Sequence, residues 1–158
     1  FDGPLKSMQI NIFKGMANSG AGLNAYLQLS GALKEGALSD AEREAIQLAV
    51  SEANGCDYCL AAHTMLGKNA GLTEDQITGA RRGSVEGDAK LAALVTFVTA
   101  LHEKKGFATD EDLAAFRSAG YDDGHVVEVI GTYALITFTN FFNHVHDTPI
   151  DFPAAPAL

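Results

Sequence analysis

The chain is predicted to be all-α, and three features of the sequence predict it. Apolar residues recur every three or four positions in several separate stretches. Some of these stretches open on a Ser or Thr followed three residues later by an acid or amide, the pattern of a helix capping box, and most close on a glycine. β-Branched residues are present but never alternate with polar ones over a useful length, so no strand is expected.

Residues 1–20 mix Gly, Pro, Asn and Ser with isolated apolar positions and read as an irregular N-terminal arm. A first helix is expected over 23–33, with Leu23, Tyr26, Leu27 and Ser30 on one face and Gly36 beyond its end. Ser39-Asp40-Ala41-Glu42 is a capping box, and the helix it opens carries Ala45, Ile46, Ala49 and Val50 at helical spacing. Asn54-Gly55 stops it, since both residues tolerate a left-handed backbone. The next helix begins close to Cys56 and runs to about Ala70 before Gly71. Thr73-Glu74-Asp75-Gln76 opens a short helix ending near Arg82-Gly83. Asp88 to Lys105 forms a longer amphipathic helix on Leu91, Leu94, Val95, Val98 and Leu101, stopped by Gly106. Thr109-Asp110-Glu111-Asp112 starts another, its acids suited to the positive end of the dipole, and Gly120 closes it. The last helix spans about Asp123 to His144, and Pro149, Pro153 and Pro156 keep residues 147–158 extended. A helical domain over 21–146 is therefore expected between an arm and a tail.

With 158 residues the chain suits one domain, able to bury roughly two-thirds of its unfolded surface. Its 47% apolar and 20% charged content is that of a folded, soluble protein. A net charge of −9 argues against nucleic acid and against an anionic membrane, since both need a basic face. No apolar run is expected to span a bilayer: Val126 to Phe142 is interrupted by Glu128, Gly131, Thr132, Thr137 and Asn140. No secretory leader is recognised, and two cysteines three positions apart are not a disulfide framework, so a reducing cytoplasm is the expected location. A faint internal echo links Asp40-Ala41-Glu42-Arg43 with Asp88-Ala89-Lys90-Leu91, and Ala70-Gly71 with Ala119-Gly120; only the first copy carries thiols.

The chemistry is concentrated in EAIQLAVSEANGCDYCLAAH, residues 44–63. Cys56, Cys59 and His63 stand at i, i+3 and i+7, which puts all three on one helical face. A thiolate at a helix start is favoured by free N–H groups and by the macrodipole, which nominates Cys56 as the more acidic thiol. His63, four residues after Cys59, is placed to exchange a proton with it. Because Asn54-Gly55 reverses the chain, Glu44 can face inward from the preceding helix as a partly buried proton acceptor. No cofactor-binding or metal-ligating set is required. A zinc site is the alternative for the same thiols, with His144 or His146 as the source of a fourth ligand. Phe138, Phe141 and Phe142 could line a substrate pocket, or belong to core or interface.

Glu44, eleven intervening residues, then Cys56-x-x-Cys59-x-x-x-His63, with the flanking EANGCDYCLAAH and AGLTEDQI, resembles the alkylhydroperoxidase D (AhpD) core of the carboxymuconolactone decarboxylase superfamily. The resemblance covers roughly residues 20–145 and implies an orthogonal all-helical bundle assembled as a homo-oligomer, a trimer or hexamer. It implies a peroxidase cycle on a hydroperoxide substrate, with Cys59 as the attacking thiol, Cys56 as its disulfide partner, and His63 and Glu44 relaying the proton. No organic cofactor is implied, and electrons come from an external dithiol or a protein reductant. The family's best-studied type has a histidine immediately before the second cysteine, where this chain has Tyr58; a phenol of pKa near 10 does not carry a proton at neutral pH. General thiol–disulfide exchange is the alternative activity, a non-catalytic zinc-stabilised module another, and a lactone enzyme using Glu44 and His63 a third.

Overall fold

A computed structural model describes residues 9–158, and among them eight α-helices and no strands. In chain order these are α1 (Asn11–Met16), α2 (Gly20–Lys34), α3 (Asp40–Asn54), α4 (Asp57–Asn69), α5 (Glu74–Arg82), α6 (Ala89–Glu103), α7 (Asp110–Ser118) and α8 (Asp123–His146). The all-α expectation holds.

Helix α3 is the hub, packed against α4, α5, α6 and α8. Its sequence explains why. Ala45, Ile46 and Leu48 are wholly buried with Val50, and burying each large aliphatic side chain contributes about 1.5–3 kcal/mol. Helix α6 closes the core with Leu94, Val95 and Val98, and Phe97 stacks on Phe116 of α7, which stacks in turn on Tyr121. Capping boxes form at Ser39–Glu42, Thr73–Gln76 and Thr109–Asp112, where the side chains had placed them. A long-range cap joins α8 to the α2–α3 turn: Glu128 accepts the N–H groups of Ala37 and Leu38, both at 2.9 Å. That carboxylate lies so close to Gly36 that a Cβ there would fall 2.6 Å from it, so a side chain at 36 would push Glu128 off this cap.

Two expectations need correction. Residues 11–16 are not an irregular lead-in but the helix α1; the part of the expected arm before residue 9 lies outside the described residues. Helix α1 has no side-chain cap and is held by tertiary contacts, with Ile12 and Met16 buried in the core. Helix α8 is long and apolar enough to cross a membrane by length and composition, because its polar interruptions are small. Thr132, Thr139, Asn140 and Asn143 on that helix are turned into the bundle. Helix α4 begins at Asp57, next to Cys56 as expected, which makes Cys56 its N-cap.

The segment after α8 is non-helical and tied down. Asp151 accepts the Asn11 backbone N–H at 2.7 Å, the Pro149 carbonyl accepts from the Asn11 side chain, and the Pro156 carbonyl accepts from Arg81.

Candidate active site

The junction between α3 and α4 is short because Gly55 takes a left-handed conformation, φ 68°, that a side chain would strain. Its turn lets the Cys56 N–H reach the Ser51 carbonyl at 2.9 Å, and α4 begins on the next residue. Cys56 thus stands where Ser or Asp normally caps a helix, and its Sγ accepts the Cys59 N–H at 3.4 Å. Both cysteines are free thiols and almost completely buried.

The pair shares its protons unequally. The thiol of Cys59 donates to Cys56, and this bond, together with the Cys59 backbone N–H and the neighbouring His144 and Asn143, draws Cys56 down to about 6 against the opposing effect of burial. The same thiol hydrogen bond, then burial, pushes Cys59 up. In the reduced pair the negative charge rests on Cys56 and the proton on Cys59. Helix electrostatics had nominated the same sulfur.

On the next turns of α4, His63 meets Glu44 from α3: Nδ1 lies 2.7 Å from Oε2, with both side chains about 15% exposed. The hairpin therefore brings the remote carboxylate to the histidine. An Nδ1–H donated to Glu44 leaves Nε2 as the basic nitrogen of the ring. Gln47 donates to the other Glu44 oxygen at 3.1 Å. The Glu44–His63 pair lines a cavity of about 320 Å³ with Tyr26, Arg43, Thr132 and Leu135. Cys56 opens instead on a different cavity, of about 580 Å³, lined by Tyr58, Asn143, His144, Thr148 and Ile150. Cys59 lines neither; it lies in the wall between elements, 2% exposed.

Three neighbours were not singled out in the sequence. Asn143 of α8 donates Nδ2–H to Cys59 Sγ at 3.2 Å. Asn140, one turn earlier and wholly buried, bridges Ser51 and Asn54 on α3 while bearing on Cys59. Tyr26 of α2 is pushed up to about 12, by burial first and then by the charge of Glu44. The signal for the asparagines was present, as two amides at i and i+3 on a largely apolar helix, a placement that puts them on one face.

Tyr58 points away from proton transfer. Its hydroxyl donates to Asp151 at 2.8 Å and receives the Ile12 N–H at 3.4 Å, and burial, then that carboxylate, raises it further from neutral pH. Phe152 meets its ring edge-on. Tyr58 is the post to which α1 and the C-terminal segment are fastened.

The residues named for other roles are scattered. Phe138 and Phe141 are exposed on α8, Phe142 stacks on His146, and none of the three lines either cavity. Among the described residues no three His, Cys, Asp or Glu side chains converge in a way that would hold a metal ion. His102 meets the Tyr133 hydroxyl, and His125 closes the α8 capping box.

The model of the carboxymuconolactone decarboxylase family matches residues 21–100, the stretch that contains all four residues of the thiol and acid–base unit. The chain belongs to this family. Solved structures resemble it over most of its length. An uncharacterised peroxidase-related protein from Silicibacter sp. TM1040 shares 25% identity at a TM-score of 0.77, covering 88% of this chain and 75% of its own. A second, described as an alkylhydroperoxidase AhpD core and uncharacterised peroxidase-related protein, from Ralstonia eutropha JMP134, shares 23% identity at a TM-score of 0.80, covering 89% and 77%. A protein of unknown function from Agrobacterium tumefaciens, described as a candidate antioxidant defence protein AhpD, shares 21% identity at 0.77, covering 87% and 95%. The last two likenesses concern the fold. No curated protein matches the chain. Within the carboxymuconolactone decarboxylase family, then, this member carries a reduced, hydrogen-bonded dithiol on one side of α4's first turns and a carboxylate–imidazole pair further along.

Proposed function

We propose that this protein is a thiol-dependent peroxidase of the alkylhydroperoxidase type, reducing hydroperoxides through a Cys56–Cys59 dithiol/disulfide cycle. The observation that carries the reading is the hydrogen-bonded pair of free thiols capping α4, charged on Cys56 and protonated on Cys59. His63, backed by Glu44, takes the Cys59 proton. The Cys59 thiolate attacks the terminal peroxide oxygen, the O–O bond breaks, and the departing alkoxide takes up that proton as an alcohol. Cys59 is left as a sulfenic acid. Cys56, already a thiolate, then attacks the Cys59 sulfur; the S–O bond breaks, hydroxide leaves as water with one proton, and a disulfide remains. Two electrons from an external dithiol or protein reductant restore the pair. The cycle needs no cofactor, and a reducing cytoplasm would sustain it. Assembly into a homo-oligomer belongs to the same proposal, supported by Val127, Ile130, Phe141 and Val145 exposed along α8.

The test is trapping. Reduced Cys56→Ser protein, given one equivalent of cumene hydroperoxide, should gain one oxygen on Cys59 and react with dimedone, whereas Cys59→Ser should gain none. Oxygen on Cys56 in the second variant and none on Cys59 in the first would reverse the assignment. A second reading, general thiol–disulfide exchange, is favoured by Cys56 itself: a thiolate of pKa about 6 facing a 580 Å³ cavity suits attack on a disulfide. Faster oxidation of the wild type by an aromatic disulfide than by any hydroperoxide would select it.

A further inference from the structure

Asn143 is 5% exposed, and the two ends of its amide are treated differently. Nδ2–H donates to Cys59 Sγ at 3.2 Å, which is the only orientation that suits a sulfur whose own proton is given to Cys56. Oδ1 is buried and has no hydrogen-bond partner among the described residues. An unmet amide oxygen in the interior is costly, so a site that keeps one gains something from it elsewhere. Its neighbour supplies the reason. A sulfenic acid at Cys59 adds one oxygen and one O–H at the sulfur that the amide already touches.

Resting on the peroxidase reading, we infer that Asn143 is a catalytic residue for both halves of oxygen transfer: its Nδ2–H holds the Cys59 sulfur as a thiolate for attack, and its Oδ1 receives the O–H of the sulfenic acid that results. The atoms balance without a further reactant. Hydroperoxide gives one oxygen to Cys59 and leaves as the alcohol, and the acid's hydrogen is the one that Oδ1 accepts. The free acceptor keeps the intermediate neutral and in place until the Cys56 thiolate displaces its oxygen as water.

The two atoms can be separated in Cys56→Ser protein, where no disulfide forms. Asn143→Asp keeps the size and an acceptor but removes the donor. Under cumene hydroperoxide it should acquire oxygen on Cys59 at least tenfold more slowly than the parent, yet hold the sulfenic acid as long. Asn143→Ala loses both atoms, and should be as slow and also convert its sulfenic acid to the two-oxygen sulfinic acid at least tenfold faster. Mass spectrometry of the Cys59 peptide reads both steps. If Asn143→Ala does not fold by circular dichroism, the isosteric Asn143→Asp alone decides through the ratio of formation to loss. Formation and lifetime within twofold of the parent in the folded variants would overturn the assignment while leaving the peroxidase reading intact. No oxygen on Cys59 in the Cys56→Ser parent would overturn the peroxidase reading, and this inference with it.

Discussion

At its start α4 places two thiols beneath N–H donors from its own backbone and from the amide of Asn143. One to two turns on, the same helix sets His63 against the carboxylate of Glu44. The first region stabilises a negative charge where it stands; the second provides a basic nitrogen and a charge to receive the proton it picks up. They face different cavities, and the buried Cys59 lies between them, hydrogen-bonded to Cys56 on one side and felt electrostatically by Tyr26 of the other cavity. A dithiol alone would support disulfide exchange. On the proposed peroxidase reading, the neighbouring pair supplies the base that takes the Cys59 proton, so the two regions should respond to mutation separately.

The largest expected effect comes from Glu44→Gln. The amide oxygen can still accept from His63 Nδ1, so geometry survives while the charge that steadies a protonated imidazole is lost. General-base assistance is worth about 10²–10⁴-fold, and oxidation of Cys59 by hydroperoxide should fall by about 10²-fold. Alkylation of Cys56 by iodoacetamide should change less than twofold, because none of its donors is touched. Parallel losses in both measurements would show the two regions to be one electrostatic unit.

A smaller effect concerns pH and belongs to the thiol region. Cys56 falls from an ordinary value of 9.0 to about 6 on folding, with the Cys59 thiol the first cause. A group whose folded pKa is depressed adds stability that is fully present above its unfolded pKa and lost as pH falls through the folded one. The reduced protein should therefore gain resistance to urea relative to Cys56→Ser between pH 6 and 9, with the gap closing below 6. Iodoacetamide should alkylate Cys56 with a midpoint near pH 6. A midpoint above 8 would mean that the cap does not hold a thiolate, and the contrast between the two regions would lose its first half.

The same contrast explains what could be read from the sequence. Cys56, Cys59, His63 and Glu44 were legible because local rules place them: helical spacing aligns the first three, and Gly55, needing a left-handed backbone, folds α3 back to deliver the fourth. Helix limits were legible where a Ser or Thr is followed three residues later by an acid or amide, as at Ser39, Thr73 and Thr109, but not at Ser19, which caps α2 without such a partner. Contacts across the bundle were not. Asn140 and Asn143 read as interruptions in an apolar stretch, since nothing local shows that a thiol lies opposite them. Helix α1 was missed for the same reason: six residues with no cap are too short to hold a helix alone, and Tyr58, Asp151 and the core do so from far along the chain.

Tyr58→Phe gives the smallest effect and the finest test of how far the thiol region extends. The substitution keeps the ring and its edge contact with Phe152 but removes the hydroxyl that joins Ile12 to Asp151. Asp151 keeps the Asn11 N–H, so the carboxylate is not abandoned, and a loss of about 1–2 kcal/mol in urea unfolding is expected for one hydrogen bond to a charged group. The C-terminal segment that Asp151 anchors also supplies Thr148, Pro149 and Ile150 to the cavity at Cys56. Loosening it should raise Cys56 alkylation a few-fold by opening that cavity, and should leave proton removal by His63 and Glu44 as it was, because they line the other one. Slower hydroperoxide reduction by Tyr58→Phe, at unchanged alkylation, would count against a purely anchoring role and bring the phenol into the proton path after all.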